Sequence, residues 1–417
     1  MRLVHSKLLK KANVIIVLMI FSLLVVACSN NNIKDNKEIN NQQIENKNSE
    51  NKDVDTENNH ENNKSNSIDN NNDKIEDKNS DNNDNSDNND TSKSDVKQED
   101  ATAEKTPIEI DYQKVKPNEL GHIMVIMYHG ISNNPPYHIT EEQFLEDLEY
   151  MYNNGYRPIS MRDYIDNNIK VEAGFTPIVL TYDDGLSSTF SLEKIDGEFV
   201  AKKGTAIEIL ERFAKTHPGF DNKAALYING DGIFEGEGTV EERINWLVDH
   251  GYDVGNHTSS HAKEHMLSKL TSREIMSHIG IVDQLIKNAV PNYTVDSLAY
   301  TFGVRPKKPL LNLVSEGEYK GITYNYKVGF REGPTGPYYP PLDNRFTPLK
   351  APRARGSKGD PADMWGFFEY YKKNPHKKYI SDGNPDRVSI LEIDEKYVNK
   401  EKLGDKELYL YKLEKVQ

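Results

Sequence analysis

Between Phe21 and Tyr112 the chain contains no Phe, Trp or Tyr, and this gap limits how much of the 417-residue protein can fold. From residue 29 to about 105, about a third of the residues are Asn, and most others are Asp, Glu, Lys or Ser. Such a stretch buries too little apolar surface to offset chain entropy, so it is expected to be disordered. Its random-coil span would be roughly 50 Å, and its full extension on the order of 250 Å. It holds about 20 acids against about 10 lysines, so most of the net charge of −14 lies here. The remaining part, 106–417, is mildly acidic, which argues against nucleic acid or an anionic polymer held by bulk charge. At roughly 310 residues it suits a (β/α) barrel.

The first 27 residues have a different character. Arg2, Lys7, Lys10 and Lys11 precede an almost wholly apolar run from Val14 to Ala27. This is a charged region followed by a hydrophobic one, too short for a comfortable membrane span. The run ends in Val25-Val26-Ala27-Cys28 and resembles the lipobox of bacterial lipoproteins. The resemblance implies cleavage before Cys28 and lipid on its sulfur and new amino terminus. An uncleaved anchor or an ordinary signal peptide are the other readings. The expected domains are therefore a lipoprotein signal peptide (1–27), a tether (28–105) and a catalytic domain (106–417). The location expected is the extracellular face of a bacterial cytoplasmic membrane, with Cys28 as the anchor. Cys28 is the only cysteine, so the mature domain has no intrachain disulfide, Cys-based metal site or thiol nucleophile.

Within 106–417, strand and helix patterns alternate. The residue pattern predicts strands at 122–129, 177–182, 223–228, 252–255 and 298–302, with later ones at 321–326 and 387–393. Helices are predicted at 140–154, 204–216, 239–250 and 271–288. Thr140 reads as an N-cap, Gly155 and Gly251 as stops, and Thr271 with Glu274 as a capping box. Alternation at this interval argues for parallel βαβ units. Residues 329–362, rich in Pro, Gly and Arg, read as a long loop.

Two blocks stand out. In "LTYDDG" (180–185) a buried-strand pattern ends in Asp183 and Asp184, whose like charges repel unless something compensates. A metal ion would compensate; so would an exposed Asp-Gly turn. In "GNHTSSH" (255–261), His257 and His261 are spaced to converge on one metal ion. Both blocks follow predicted strands, so they fall on the same face of a parallel sheet, at the carboxyl ends where sites gather.

"TYDDG", "NHTSSH", "MYHG" and "AYTFG", in this order, resemble the polysaccharide deacetylase family with the NodB homology domain (carbohydrate esterase family 4), over about 120–395. The resemblance implies an α/β fold, a distorted (β/α) barrel. It implies Asp184, His257 and His261 as ligands of a divalent metal, zinc first, with cobalt or nickel as other ions. It implies Asp183 as the general base that activates water, and the backbone N–H of Phe302 as an oxyanion donor. The implied reaction removes acetyl groups from an extracellular N-acetylglucosamine polymer, peptidoglycan or poly-N-acetylglucosamine. An O-acetyl esterase or a non-catalytic glycan-binding lipoprotein are the rival readings.

The chain departs from the family pattern in two places. Where many members have an Arg and two prolines, it has Ala299-Tyr300-Thr301. "APRARGSKGD" offers Arg353, then Arg355, and we expect Arg353 to orient Asp183. The family's late Leu-x-His, which supplies the acid for the leaving amine, is absent: the predicted strand 387–393 contains no His. His376, in "KKNPHKK", is the one histidine after His278 and reads as an exposed loop residue. His129, in "MYHG", could bond a ligand residue, touch substrate, or simply be packed. Trp246 reads as core. Trp365 and "PYYPP" (337–341) could stack on sugar rings or pack. "YISDGNPD" (379–386) reads as turn chemistry.

Overall fold

A computed structural model describes residues 109–414, apart from 136, 231, 333–335 and 360–361. The signal-like segment, Cys28 and the tether lie outside the described residues. Among the described residues, no helix is long and apolar enough to cross a membrane.

The strands, in chain order, are β1 (Val125–Tyr128), β2 (Tyr156–Pro158), β3 (Thr176–Tyr182), β4 (Leu192–Ile195), β5 (Glu198–Ala201), β6 (Ala225–Ile228), β7 (Asp253–Asn256), β8 (Ser297–Ala299), β9 (Glu316–Tyr319), β10 (Ile322–Asn325), β11 (Val328–Phe330), β12 (Ala354–Arg355), β13 (Arg387–Leu391) and β14 (Glu407–Tyr411). The main sheet runs β11-β8-β7-β6-β3-β1-β12, with β2 also on β3, and all its pairings are parallel. Every residue of β1, β3 and β6 is buried, as expected of a parallel sheet covered on both faces.

The two edges of this sheet are bridged by one segment. Ala351 forms a parallel bridge with Phe330 of β11. Three residues later, Ala354 and Arg355 pair with Ile126 and Met127 of β1. The Pro- and Arg-rich stretch expected to be loop thus includes the segment that brings the sheet round into a distorted barrel.

Helices Glu141–Asn153, Ala206–Thr216 and Val240–Asp249 fall in the predicted windows, and Ser272–Ala289 runs one residue past its own. Capping boxes begin three of them, at Thr140–Gln143, Thr239–Glu242 and Thr271–Glu274. Their apolar faces pack on the outer side of the sheet. Burying side chains such as Phe144, Leu148 and Met151 stabilises by roughly 1.5–3 kcal/mol each.

Two predicted strands lie outside the barrel. β10 pairs antiparallel with β9 across a Lys320-Gly321 turn; the barrel strand is the next one, β11. A second hairpin, β4–β5, turns at Asp196-Gly197. Both turns have positive φ at both central residues, the type favoured by the twist of paired strands. β13 pairs with β14 in a separate parallel pair.

This pair is attached through a buried polar cluster that includes "YISDGNPD". Glu119 accepts hydrogen bonds from Tyr379 Oη and from the Asp382 and Ser389 N–H groups. Asp382 accepts from Arg387 and the Ser389 hydroxyl. Burial, then the charge of Asp382, pushes the Glu119 carboxyl up to about 8 from its usual 4.5. A raised folded-state pKa means the unfolded chain releases this proton first, so stability is lost as pH rises from the usual value through about 8. Urea unfolding at about pH 5 and about pH 8 should show that loss in wild type. It should be much reduced in Glu119→Gln; an equal loss in the variant would assign it to other groups.

Candidate active site

Strand alternation places most of the site. Val125 and Val179 belong to the apolar cluster inside the barrel, whereas Ile126, Tyr128, Ile178, Leu180 and Tyr182 belong to the one under the helices. With a period of two, the inward series continues to His129 after β1, Asp183 after β3, Asn229 after β6 and His257 after β7. Asp184 should then point outward. Instead its φ is +73°, a left-handed conformation uncommon for a non-glycine residue, and its carboxylate turns into the same cleft.

Asp183 is buried and bidentately held by Arg353: Nη1 to Oδ1 at 2.7 Å and Nη2 to Oδ2 at 2.6 Å. Arg353 is itself fully buried, and also donates to Thr181 Oγ1 and the Arg331 carbonyl. Burial alone would raise the Asp183 pKa; the Arg353 charge and hydrogen bonds outweigh it and hold the pKa below the usual range. Arg355 turns elsewhere, to Glu332 at 3.0 Å.

Asp184 Oδ1 lies 3.3 Å from His257 Nε2 and 3.6 Å from His261 Nε2. The three could offer ligand atoms within 4.8 Å of one another. His257 Nδ1 lies 2.8 Å from the Ala299 carbonyl oxygen. A carbonyl only accepts, so Nδ1 carries a proton, and in the neutral ring the Nε2 lone pair faces Asp184. Asp184 Oδ1 is buried and accepts no hydrogen bond within the protein. An orphaned carboxylate oxygen beside an imidazole lone pair fits a bound cation. Burial would raise the Asp184 pKa, but the positive charge of His257, with that of His129 and His261, pulls it well below the usual range when those rings are protonated.

The "NHTSSH" turn is pinned by two asparagines not singled out in the sequence. Asn256 donates to the Ile279 carbonyl and the Tyr326 hydroxyl, and its Oδ1 accepts the Thr258 N–H. Asn229 donates to the carbonyls of His257 and Thr258. Thr258 has φ +60°, and these bonds hold it there. The two residues do follow strand patterns directly, which is the one signal that could have flagged them.

β8 ends at Ala299, short of the predicted 302, and Phe302 lies in a 3₁₀ turn with φ +56°. The turn's hydrogen bonds run from Gly303 to Tyr300 and from Val304 to Thr301, so neither uses the Phe302 N–H. The Phe302 ring packs on His261 at 4.3 Å between centroids. Gly303 has φ +63°, and a Cβ there would lie 2.8 Å from the Glu332 backbone nitrogen; only glycine fits.

The resulting cleft has a volume of about 280 Å³ and is lined by His129, Tyr137, both aspartates, His257, His261 and Phe302, among others. His129 Nε2 is 3.9 Å from Asp184 Oδ2. Burial lowers the His129 pKa, against the opposing pull of Asp183 and Asp184. His376 lines a different cleft, with Lys116 and Tyr411. Trp365 bonds Asp147 and packs on Tyr150; Trp246 bonds the Phe199 carbonyl and stacks on Phe190. Tyr338 is buried, and Tyr339 packs on His122. None of these aromatics lines the site cleft.

Fold and site together define an α/β-barrel protein with an Asp–His–His cluster that could hold a metal ion beside a clamped second carboxylate. Residues 170–322 match the family model described as polysaccharide deacetylase. The matched span contains both the Asp183-Asp184 and the His257–His261 blocks. The chain is similar to YxkH of Bacillus subtilis, named for the same family, with 20% identity over 209 residues, 50% of this chain and 67% of that one. It is also similar to a Bacillus anthracis structure named for that family (20% identity, TM-score 0.42, 59% of this chain and 68% of that chain). The Streptococcus pyogenes deacetylase PplD, solved with acetate, aligns at 17% identity and TM-score 0.41, over 58% of this chain and 95% of that one.

Removing Arg353 would leave the Asp183 charge buried and unpaired. Arg353→Met should therefore destabilise the protein by about 3–5 kcal/mol. Adding Asp183→Asn should restore a large part of that loss. Additive losses in the urea-melt cycle would show that the pair is not what Arg353 contributes.

Proposed function

We propose that this protein is a metal-dependent deacetylase. Its substrate would be an extracellular N-acetylglucosamine polymer, peptidoglycan or poly-N-acetylglucosamine. The observation that carries this reading is the pairing of an Arg-clamped, ionised Asp183 with the Asp184–His257–His261 set in one cleft. A divalent cation, zinc first, held by those three residues would supply Lewis acidity toward the acetyl carbonyl and toward water. Asp183 Oδ2, 4.0 Å from His257 Nε2, takes the proton as water attacks the carbonyl carbon. The Phe302 N–H donates to the developing oxyanion. The C–N bond then breaks, and the leaving nitrogen needs a proton.

In this reading His129 Nε2 gives that proton. It lines the cleft beside Asp184, whereas the late strand, where the family's acid would sit, contains no His and lies outside the barrel. Burial favours the neutral imidazole, so the proton it hands to the amine would be the one that Asp183 takes from water. Acetate and a free amine are the products, and the glycan becomes more cationic. The Cys28 block and the 29–105 stretch support a lipid-anchored enzyme reaching from the outer face of the membrane.

Acetate release from N-acetylglucosamine oligomers should be measured with the zinc- or cobalt-loaded protein, beside an O-acetylated sugar. Asp183→Asn should abolish release while metal content stays at wild-type level. His257→Ala should lose both metal and activity. Release from the O-acetylated sugar alone would move the reading to an esterase. Absence of release from either, with the metal bound, would sink the enzyme reading for these substrates. His129→Asn should lower kcat by about 10²-fold or more with metal retained; an unchanged kcat would remove His129 from the proton transfer.

A further inference from the structure

We propose that Tyr137 is a platform on which a sugar ring of the substrate stacks, making the site selective for a glycan chain. This rests on the reading of the cleft as a glycan deacetylase site and adds a recognition residue to it. Tyr137 sits on the loop between Gly130 and Thr140. The loop is pinned at its base by the Ile131–Ile139 bridge, with Ser132 N–H donating to the Ile139 carbonyl at 2.8 Å and Ile139 N–H to the Gly130 carbonyl at 3.2 Å.

Above this base the side chain of Tyr137 is 47% exposed. Among the described residues, the other exposed large apolar side chains are Ile195, Ile281, Tyr370, Ile393, Tyr409 and Leu413. None of those lines the site cleft; Tyr137 does. Its ring centroid is 5.1 Å from that of His129, at 53° between planes. A large aromatic held half in water beside the reacting groups leaves apolar area uncovered. The C–H face of a pyranose would cover it, while the phenol hydroxyl stays free to bond a sugar hydroxyl or water. His129 lies between this platform and Asp184, so the sugar on Tyr137 would be next to the one being deacetylated. The substrate class is a chain of at least two linked sugars.

The test uses full-length metal-loaded protein and an N-acetylglucosamine pentamer. Tyr137→Ala should raise KM about five- to tenfold while kcat changes less than twofold, and Tyr137→Phe should restore KM to within twofold. A KM unmoved by Tyr137→Ala, or a fall in kcat equal to the loss in kcat/KM, would overturn the platform. Should wild type release no acetate, pentamer binding by titration calorimetry separates the two ideas. Binding that weakens in Tyr137→Ala and returns in Tyr137→Phe keeps the platform although the deacetylase reading has failed. Equal binding by all three proteins, or none by wild type, overturns the platform itself.

Discussion

Arg353 and Asp183 form an ion pair with almost no contact with water, and the site is organised around it. Taking two charges out of water costs several kcal/mol each, and that cost is offset only by close, well-directed hydrogen bonds. The bidentate geometry supplies two, and Thr181 and the Arg331 carbonyl use further guanidinium hydrogens. Arg353 lies on the segment between Ala351, bridged to β11, and Ala354, paired to β1. The same interaction therefore ties the closing segment of the barrel to the end of β3 and keeps one carboxylate ionised. Lysine could not reproduce this, because a single ammonium lacks the planar fork that grips both oxygens.

The second carboxylate depends on backbone strain. Strand alternation would send Asp183 and Asp184 to opposite faces, yet both carboxylates face one cleft. The left-handed conformation of Asp184 achieves this, and Thr258 and Phe302 adopt the same region in the neighbouring loops. Such residues cost of order 1–3 kcal/mol each and persist only where their surroundings over-determine them. The buried asparagines Asn229 and Asn256 supply that for Thr258. Three of the nine non-glycine residues with positive φ among the described residues thus lie where three loops meet the cleft.

The carboxyl-terminal part of the chain adds to the molecule without adding to the cleft. β13 and β14 pair with each other, and Glu119, Asp382, Arg387 and Ser389 join that pair to the segment entering β1. With these strands outside the barrel, the imidazole that lines the cleft beside Asp184 comes from the end of β1.

The primary structure alone was enough for the buried strands β3 and β6, the capped helices and the Asp183–Asp184 and His257–His261 blocks. These are local properties: apolar runs, cap residues and strand-end carboxylates are written in consecutive residues. It also pointed to Arg353 as the partner of Asp183 through a short Pro-Arg element. It could not show that residues 351–355 close a barrel, because that pairing joins β11 to β1 across about 200 residues of chain, and a Pro-rich run carries no strand pattern. Nor could periodicity separate the hairpin strand β10 from the barrel strand β11, or place β13 outside the sheet. Short apolar runs look alike until their neighbours are known. The inward turn of Asp184, the tautomer of His257 and the position of Tyr137 over the cleft were decided only by tertiary structure, since each depends on atoms contributed by distant segments.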